Sequence, residues 1–135
     1  MMKPGLRVGA NESIIIVVTN DMFAAFEGKV IHPVYSTVAM TYHMEWVSRK
    51  IILPFLESTE EGIGASVLVK HISPALAGSE VTLTATLIEL KNNIVSTKIE
   101  AYQDTKIIGV GEVKQVILPK EKIEGIFHGK AKDIH

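Results

Sequence analysis

The apolar positions along this chain follow a helical period in the first half and an alternating one in the second. From Ser36 to about Leu53, Met40, Met44, Val47 and Ile51 recur at spacings of three and four, which places them on one stripe of a helix. Ser36 or Thr37 is the natural N-cap, and Pro54 discourages continuation beyond Leu53. Ala39, Tyr42, Trp46 and Ile52 add apolar surface elsewhere around the cylinder, so the pattern predicts a helix covered on nearly all sides. From Gly62 onward the period becomes two. The segments GIGASVLVKHIS, SEVTLTATLIEL, NIVSTKIEAYQD and KIIGVGEVKQVIL read as strands, separated by the turn compositions SPALAG, KNN and DT. They predict an antiparallel meander.

Within the second of these segments Val81, Leu83, Ala85 and Leu87 share one face and Thr82, Thr84 and Thr86 the other, so one sheet face is dry. By the same parity His71 falls with Val67 and Val69, and Gln115 with Val113 and Ile117, so two polar groups look toward the core. Ahead of the helix, SIIIVVTN reads as a strand that is buried or lies at a subunit contact, and DMFAAFEGKV as a helical turn closed by Gly28. The tail KEKIEGIFHGKAKDIH is expected to pack partly through Ile123, Ile126 and Phe127 and then to fray.

Composition narrows the function. At 135 residues and 47% apolar content the chain suits one domain, 1–135, with a core over about 13–118 and a tail over 119–135. Lysine and arginine number 14 against 15 acidic residues, which provides no basic field for nucleic acid. No apolar run approaches the ~18 residues that cross a bilayer, and MMKPGLRVGANES has no signal-peptide core, so a cytoplasmic protein without membrane partners is expected. The absence of cysteine removes disulfides, thiolate nucleophiles and zinc–thiolate sites. His32, His43, His128 and His135 show no metal-ligand spacing, so no metal is expected. The glycines of GVGE, 109–112, lie inside a strand pattern and make room for a curved sheet or for the helix.

The candidate chemistry begins on the helix. Thr37, Thr41 and Glu45 stand four residues apart and share a face. On a mostly apolar helix Glu45 would be desolvated and its pKa raised toward the range of a general base. His71, facing inward, would donate a proton or a hydrogen bond as charge develops, and Gly64 would let a substrate approach the backbone. Each has an ordinary alternative: a core carboxylate, an N-cap, a satisfied core histidine and a bulge glycine. Base, nucleophile and orienting roles remain open between Glu45 and Thr37.

One long helix before four antiparallel strands, with HPVYST, Glu45 and the His-x-x-Pro-x-x-x-Gly of HISPALAG, resembles the hot-dog-fold thioesterases, in particular the branch that includes fluoroacetyl-CoA thioesterase. The match runs over about Ser13 to Leu118. Its most specific element is spacing: Thr37, then Glu45 eight residues on, then His71 twenty-six further, with Gly64 on the strand leading to the histidine. The resemblance implies an α+β hot-dog fold, an antiparallel sheet wrapped around one central helix. It also implies a homodimer, or a dimer of dimers, with sites near the subunit interface, and hydrolysis of an acyl-CoA thioester with coenzyme A as part of the substrate and no other cofactor. Thr37, Glu45 and His71 would be catalytic, with Gly64 and Gln115 substrate-binding. Gln115 stands where the fluoroacetyl enzyme carries an arginine, and no aromatic lid is placed, so fluoroacetyl selection is not expected. The alternatives are a non-catalytic acyl-thioester binding protein and a hot-dog dehydratase or hydratase.

Overall fold

In the computed structural model, which describes residues 2–133, the alternating segments form one five-stranded antiparallel sheet in the order β1-β5-β6-β7-β4. Its strands are β1 (Asn11–Val17), β4 (Glu60–His71), β5 (Glu80–Lys91), β6 (Ile94–Gln103) and β7 (Lys106–Pro119). The helix α1 (Thr37–Ile52) lies against it, capped by Ser36, whose Oγ accepts from the Ala39 N–H at 3.0 Å. Met40, Met44, Val47, Ile51 and Ile52 are buried beneath it, against Val81, Leu83, Ala85 and Leu87 of β5, each wholly buried. This burial of the helical stripe on the dry sheet face is the main apolar contribution to stability. Asn92 and Asp104, at φ 57° and 53°, turn the two hairpins expected at KNN and DT.

Gly109 and Gly111 of β7 are what let α1 approach so closely. A Cβ at Gly109 would stand 2.5 Å from Met40 Sδ, and one at Gly111 2.6 Å from Met44 Sδ. The helix crosses the sheet over these two positions.

Four expectations are corrected. DMFAAFEGKV is not a helical turn closed by Gly28: a single 3-10 turn (Asn20–Met22) leads into a hairpin of β2 (Phe23–Phe26) and β3 (Lys29–Tyr35). Its two-residue turn puts Glu27 at φ 52° and Gly28 at φ 79°, the pair of positive angles that folds a strand back on itself. The meander covers β5 to β7 only. β4 pairs with β7, because the connection after His71 carries the chain across the sheet before β5 begins at Glu80. The tail is the helix α2 (Lys120–Asp133) and does not fray at once. Phe127 on it is 67% exposed and Ile123 partly covered, while Ile134 and His135 lie outside the described residues.

The fourth correction concerns α1. Val38, Tyr42 and Trp46, four residues apart, are 70%, 67% and 44% exposed, so one side of the helix is not covered by this chain. Glu45 beside them is also solvent-exposed, and the desolvation expected of it is absent in the protomer.

Candidate active site

Two groups of side chains gather along α1, one at its start and one near its middle. At its start, Thr37 is the first helical residue, and its Oγ1 lies 2.9 Å from Nδ1 of His71, the last residue of β4. The helix start is fixed by Ser36, and the strand end by its ladder with β7, where His71 stands opposite Gly109. Nε2 of His71 is buried with no hydrogen-bond partner among the described residues. The first backbone N–H groups of α1 also open here, and they have no partners within the helix.

Two turns later Glu45 faces Gly64 of β4. A Cβ on Gly64 would stand 3.3 Å from Glu45 Oε2, so the carboxylate rests almost against bare backbone. Gly64 pairs across the ladder with Gln115, which is 5% exposed, and the Nε2 of Gln115 is buried without a hydrogen-bond partner among the described residues. Glu45, Thr41, Gly62, Gly64, Gln115 and Trp46 line a cleft of about 540 Å³. At its rim Arg49 Nη2 donates to Glu61 Oε1 at 2.7 Å, which holds the Glu61 carboxyl below the usual carboxylate range. The cleft therefore offers the Glu45 carboxylate, the Gln115 amide, the Thr41 hydroxyl and an apolar wall, with the Arg49 guanidinium at its rim.

The structure joins Thr37 with His71, and Glu45 with Gly64 and Gln115. It does not bring the two groups together within one chain. Eight residues of helix separate Thr37 from Glu45, about 12 Å along the axis at ~1.5 Å per residue. The row of Thr37, Thr41 and Glu45 shares a face as expected, with Thr41 Oγ1 donating to the Thr37 carbonyl at 2.7 Å, but its two ends serve different clefts. Among the described residues no group of His, Asp or Glu is placed to hold a metal ion, and no helix is long and apolar enough to cross a membrane.

Sequence reasoning missed the wall at the Thr37 end. Met22 of the preceding 3-10 turn and Phe23 and Phe26 of the β2–β3 hairpin lie over a second cleft of about 660 Å³ that also touches Thr37 and His43. The signal was the Glu-Gly pair after an aromatic run, a hairpin turn when flanked by strands.

The family model of fluoroacetyl-CoA-specific thioesterases (FlK) matches residues 18–121. A fluoroacetyl-CoA thioesterase of Streptantibioticus cattleyicolor is 28% identical over 132 residues, 90% of this chain and 91% of that protein. Among solved structures, a hypothetical protein of Thermus thermophilus that is a thioesterase superfamily member is 42% identical, with a TM-score of 0.92 and 96% of each chain covered. A hot-dog-like protein from Thermanaerovibrio acidaminovorans, 20% identical with a TM-score of 0.86 over 95% of this chain and 93% of its own, shares the fold. With a sheet packed on one long helix and a family match spanning most of its length, the chain belongs to the fluoroacetyl-CoA-specific thioesterase family, thioester hydrolases of the hot-dog fold.

Proposed function

We propose that this protein hydrolyses a small or medium acyl-CoA thioester by Glu45-assisted attack of water, in a site completed by a second copy of the chain. The observation that carries the reading is the position of Glu45, a carboxylate held against the bare backbone of Gly64 at the mouth of a cleft. Glu45 takes a proton from water, and the oxygen adds to the thioester carbonyl. The tetrahedral adduct then collapses with cleavage of the C–S bond, and the proton held by Glu45 passes to the departing sulfur, giving the acid, the thiol and the restored Glu45 carboxylate. Thr37, His71 and the open N–H groups at the start of α1 would hold the carbonyl oxygen as it gains charge, the setting in which fixed donors lower a barrier most. Gln115 would offer its unpartnered amide to the substrate.

Two subunits reconcile the divided site. β4 is an edge strand of the sheet, and the face of α1 beside it is apolar and exposed, so pairing two β4 edges removes both liabilities. A bulge between Gly64 and Ser66 takes Ala65 out of the ladder, which sets Gly64 on the same helix-facing side as Val67, Val69 and His71. With a two-fold axis at Leu68, Gly64 of one strand would stand opposite His71 of the partner subunit, each three ladder positions from the axis. Glu45 of one protomer would then meet Thr37 and His71 of the partner subunit across one carbonyl.

The chain has no cysteine, so Leu68→Cys reports this register directly. Under mild oxidation it should yield a covalent dimer, since residues directly opposite in a ladder have Cβ atoms ~4.5–5.5 Å apart. Ser66→Cys should not, being about four ladder positions from its symmetry mate. Cross-linking of Ser66→Cys but not of Leu68→Cys would refute the register.

Activity is tested by free-thiol release from acyl-CoAs of graded length. Release from small or medium acyl groups is expected, whereas acyl-CoA binding without release would favour a binding protein. Gly64→Ala should lower kcat roughly tenfold while leaving the melting temperature unchanged, because the added methyl displaces the Glu45 carboxylate by only a few tenths of an ångström. Unchanged kcat in that variant would separate Gly64 from the reaction.

A further inference from the structure

Beside the start of α1 lies a buried polar pair that the hydrolysis scheme does not use. Tyr35, the last residue of β3, is wholly buried, with its N–H donating to the Ala75 carbonyl at 2.9 Å. Its Oη lies 2.7 Å from Nδ1 of His43, which is 6% exposed. The two rings are nearly parallel, 22° apart with centroids at 5.8 Å. On its other side the Tyr35 ring meets His71 edge-on, at 69° and 6.3 Å between centroids.

His71 needs such support. An imidazole is usually oriented by the hydrogen bond at the nitrogen away from its reacting partner. Here Nδ1 faces Thr37, and Nε2 is buried with no partner among the described residues, so packing must fix the ring.

We propose that Tyr35 and His43 are positioning residues for this enzyme: His43 anchors the Tyr35 hydroxyl, and the Tyr35 ring fixes the plane of His71 and so the direction of its contact with Thr37. The proposal rests on the reading that Thr37 and His71 belong to the site. Burial pushes the Tyr35 phenol up and the His43 imidazole down from their ordinary pKa values, so near neutral pH the pair is a hydrogen bond between uncharged groups and not an ion pair. It sits among apolar and aromatic neighbours, including Tyr42 and Trp46, whose rings pack on His43 at 5.5 Å and 6.3 Å. Loss of either partner would leave the other's polar atom stranded.

The test combines kinetics with imidazole ¹⁵N NMR at one pH. Tyr35→Phe, which keeps the ring and loses its anchor, should lower kcat about tenfold with KM within twofold, and His43→Leu should do the same. The double variant should be no worse than either single one, because both break the same link. Tyr35→Leu should lower kcat about a hundredfold and change the His71 ¹⁵N shifts from those of one fixed tautomer to averaged values. Multiplying effects in the double variant, or an unaltered His71 signature in Tyr35→Leu, would overturn the proposal. His71→Asn is run alongside. If it alone abolishes activity and the Tyr35 variants are fully active, the positioning claim falls and the site reading stands. If His71→Asn is fully active, the site reading falls, and the ¹⁵N shifts still decide whether Tyr35 orients the ring.

Discussion

Glu45→Gln is expected to lower kcat for thioester hydrolysis on the order of 10³-fold, within the range that loss of a positioned general base produces. Glutamine keeps the size and polarity of the side chain and removes only its capacity to take a proton, so KM should move little. Stability should also be nearly unchanged, within about 0.5 kcal/mol, because Glu45 is exposed in the protomer and its replacement strands no buried partner. The combination of lost turnover and retained melting temperature separates a chemical role from a folding role. Steady-state thiol release together with thermal melts gives both numbers. A variant with wild-type kcat would remove Glu45 from the mechanism and leave Thr37 as the candidate to activate or attack.

The largest expected effect on stability lies on the opposite side of α1. Gly111→Val should destabilise the fold by at least the upper end of the ~1–3 kcal/mol typical of overpacked cores. At Gly111 the first added carbon would already stand 2.6 Å from Met44 Sδ and 2.7 Å from the Leu68 carbonyl oxygen. The methionine end can swing aside, but the carbonyl belongs to the β4–β7 ladder and cannot move without breaking it. Gly111→Ala should show a smaller loss of the same sign. Chemical denaturation measures both, and a valine variant as stable as wild type would mean that α1 does not bear on β7 as described.

The helix and the strands were legible because each follows from side-chain period and local turn chemistry. Met40, Met44, Val47 and Ile51 mark the buried side of α1 from spacing alone, and Asn92 and Asp104 sit in turns whose residue types announce them. The hairpin at Phe23–Phe26 was not legible, because its apolar spacing also fits a helical turn and only the positive φ of Glu27 decides between them. Strand pairing was lost for a different reason. Alternation shows that β4 exists, but a connection long enough to cross the sheet lets it pair with β7.

The site was half legible. Spacing singled out Thr37, Glu45 and His71 but did not say which of them meet in one chain. A helix that looks apolar all round in sequence has the same pattern whether its last face is covered by its own sheet or by another molecule. Val38, Tyr42 and Trp46 are left uncovered by this chain, and Glu45 was therefore read as buried when in the protomer it is exposed. His43 was weighed only as a metal ligand, because its partner Tyr35 lies on a strand that ends before the helix begins.

The central claim is that Glu45 works across the subunit boundary with the Thr37 and His71 of its partner, and complementation tests it most directly. The Glu45→Gln and His71→Asn variants, each expected to be inactive alone, are mixed in equal amounts, unfolded and refolded together. In a mixed dimer one site then combines the intact Glu45 of one chain with the intact Thr37 and His71 of the other. Half of the dimers would be mixed, each with one working site, so activity should return to about a quarter of wild type. A mixture that stays as inactive as its components would place all three residues of each site in one protomer and contradict the account.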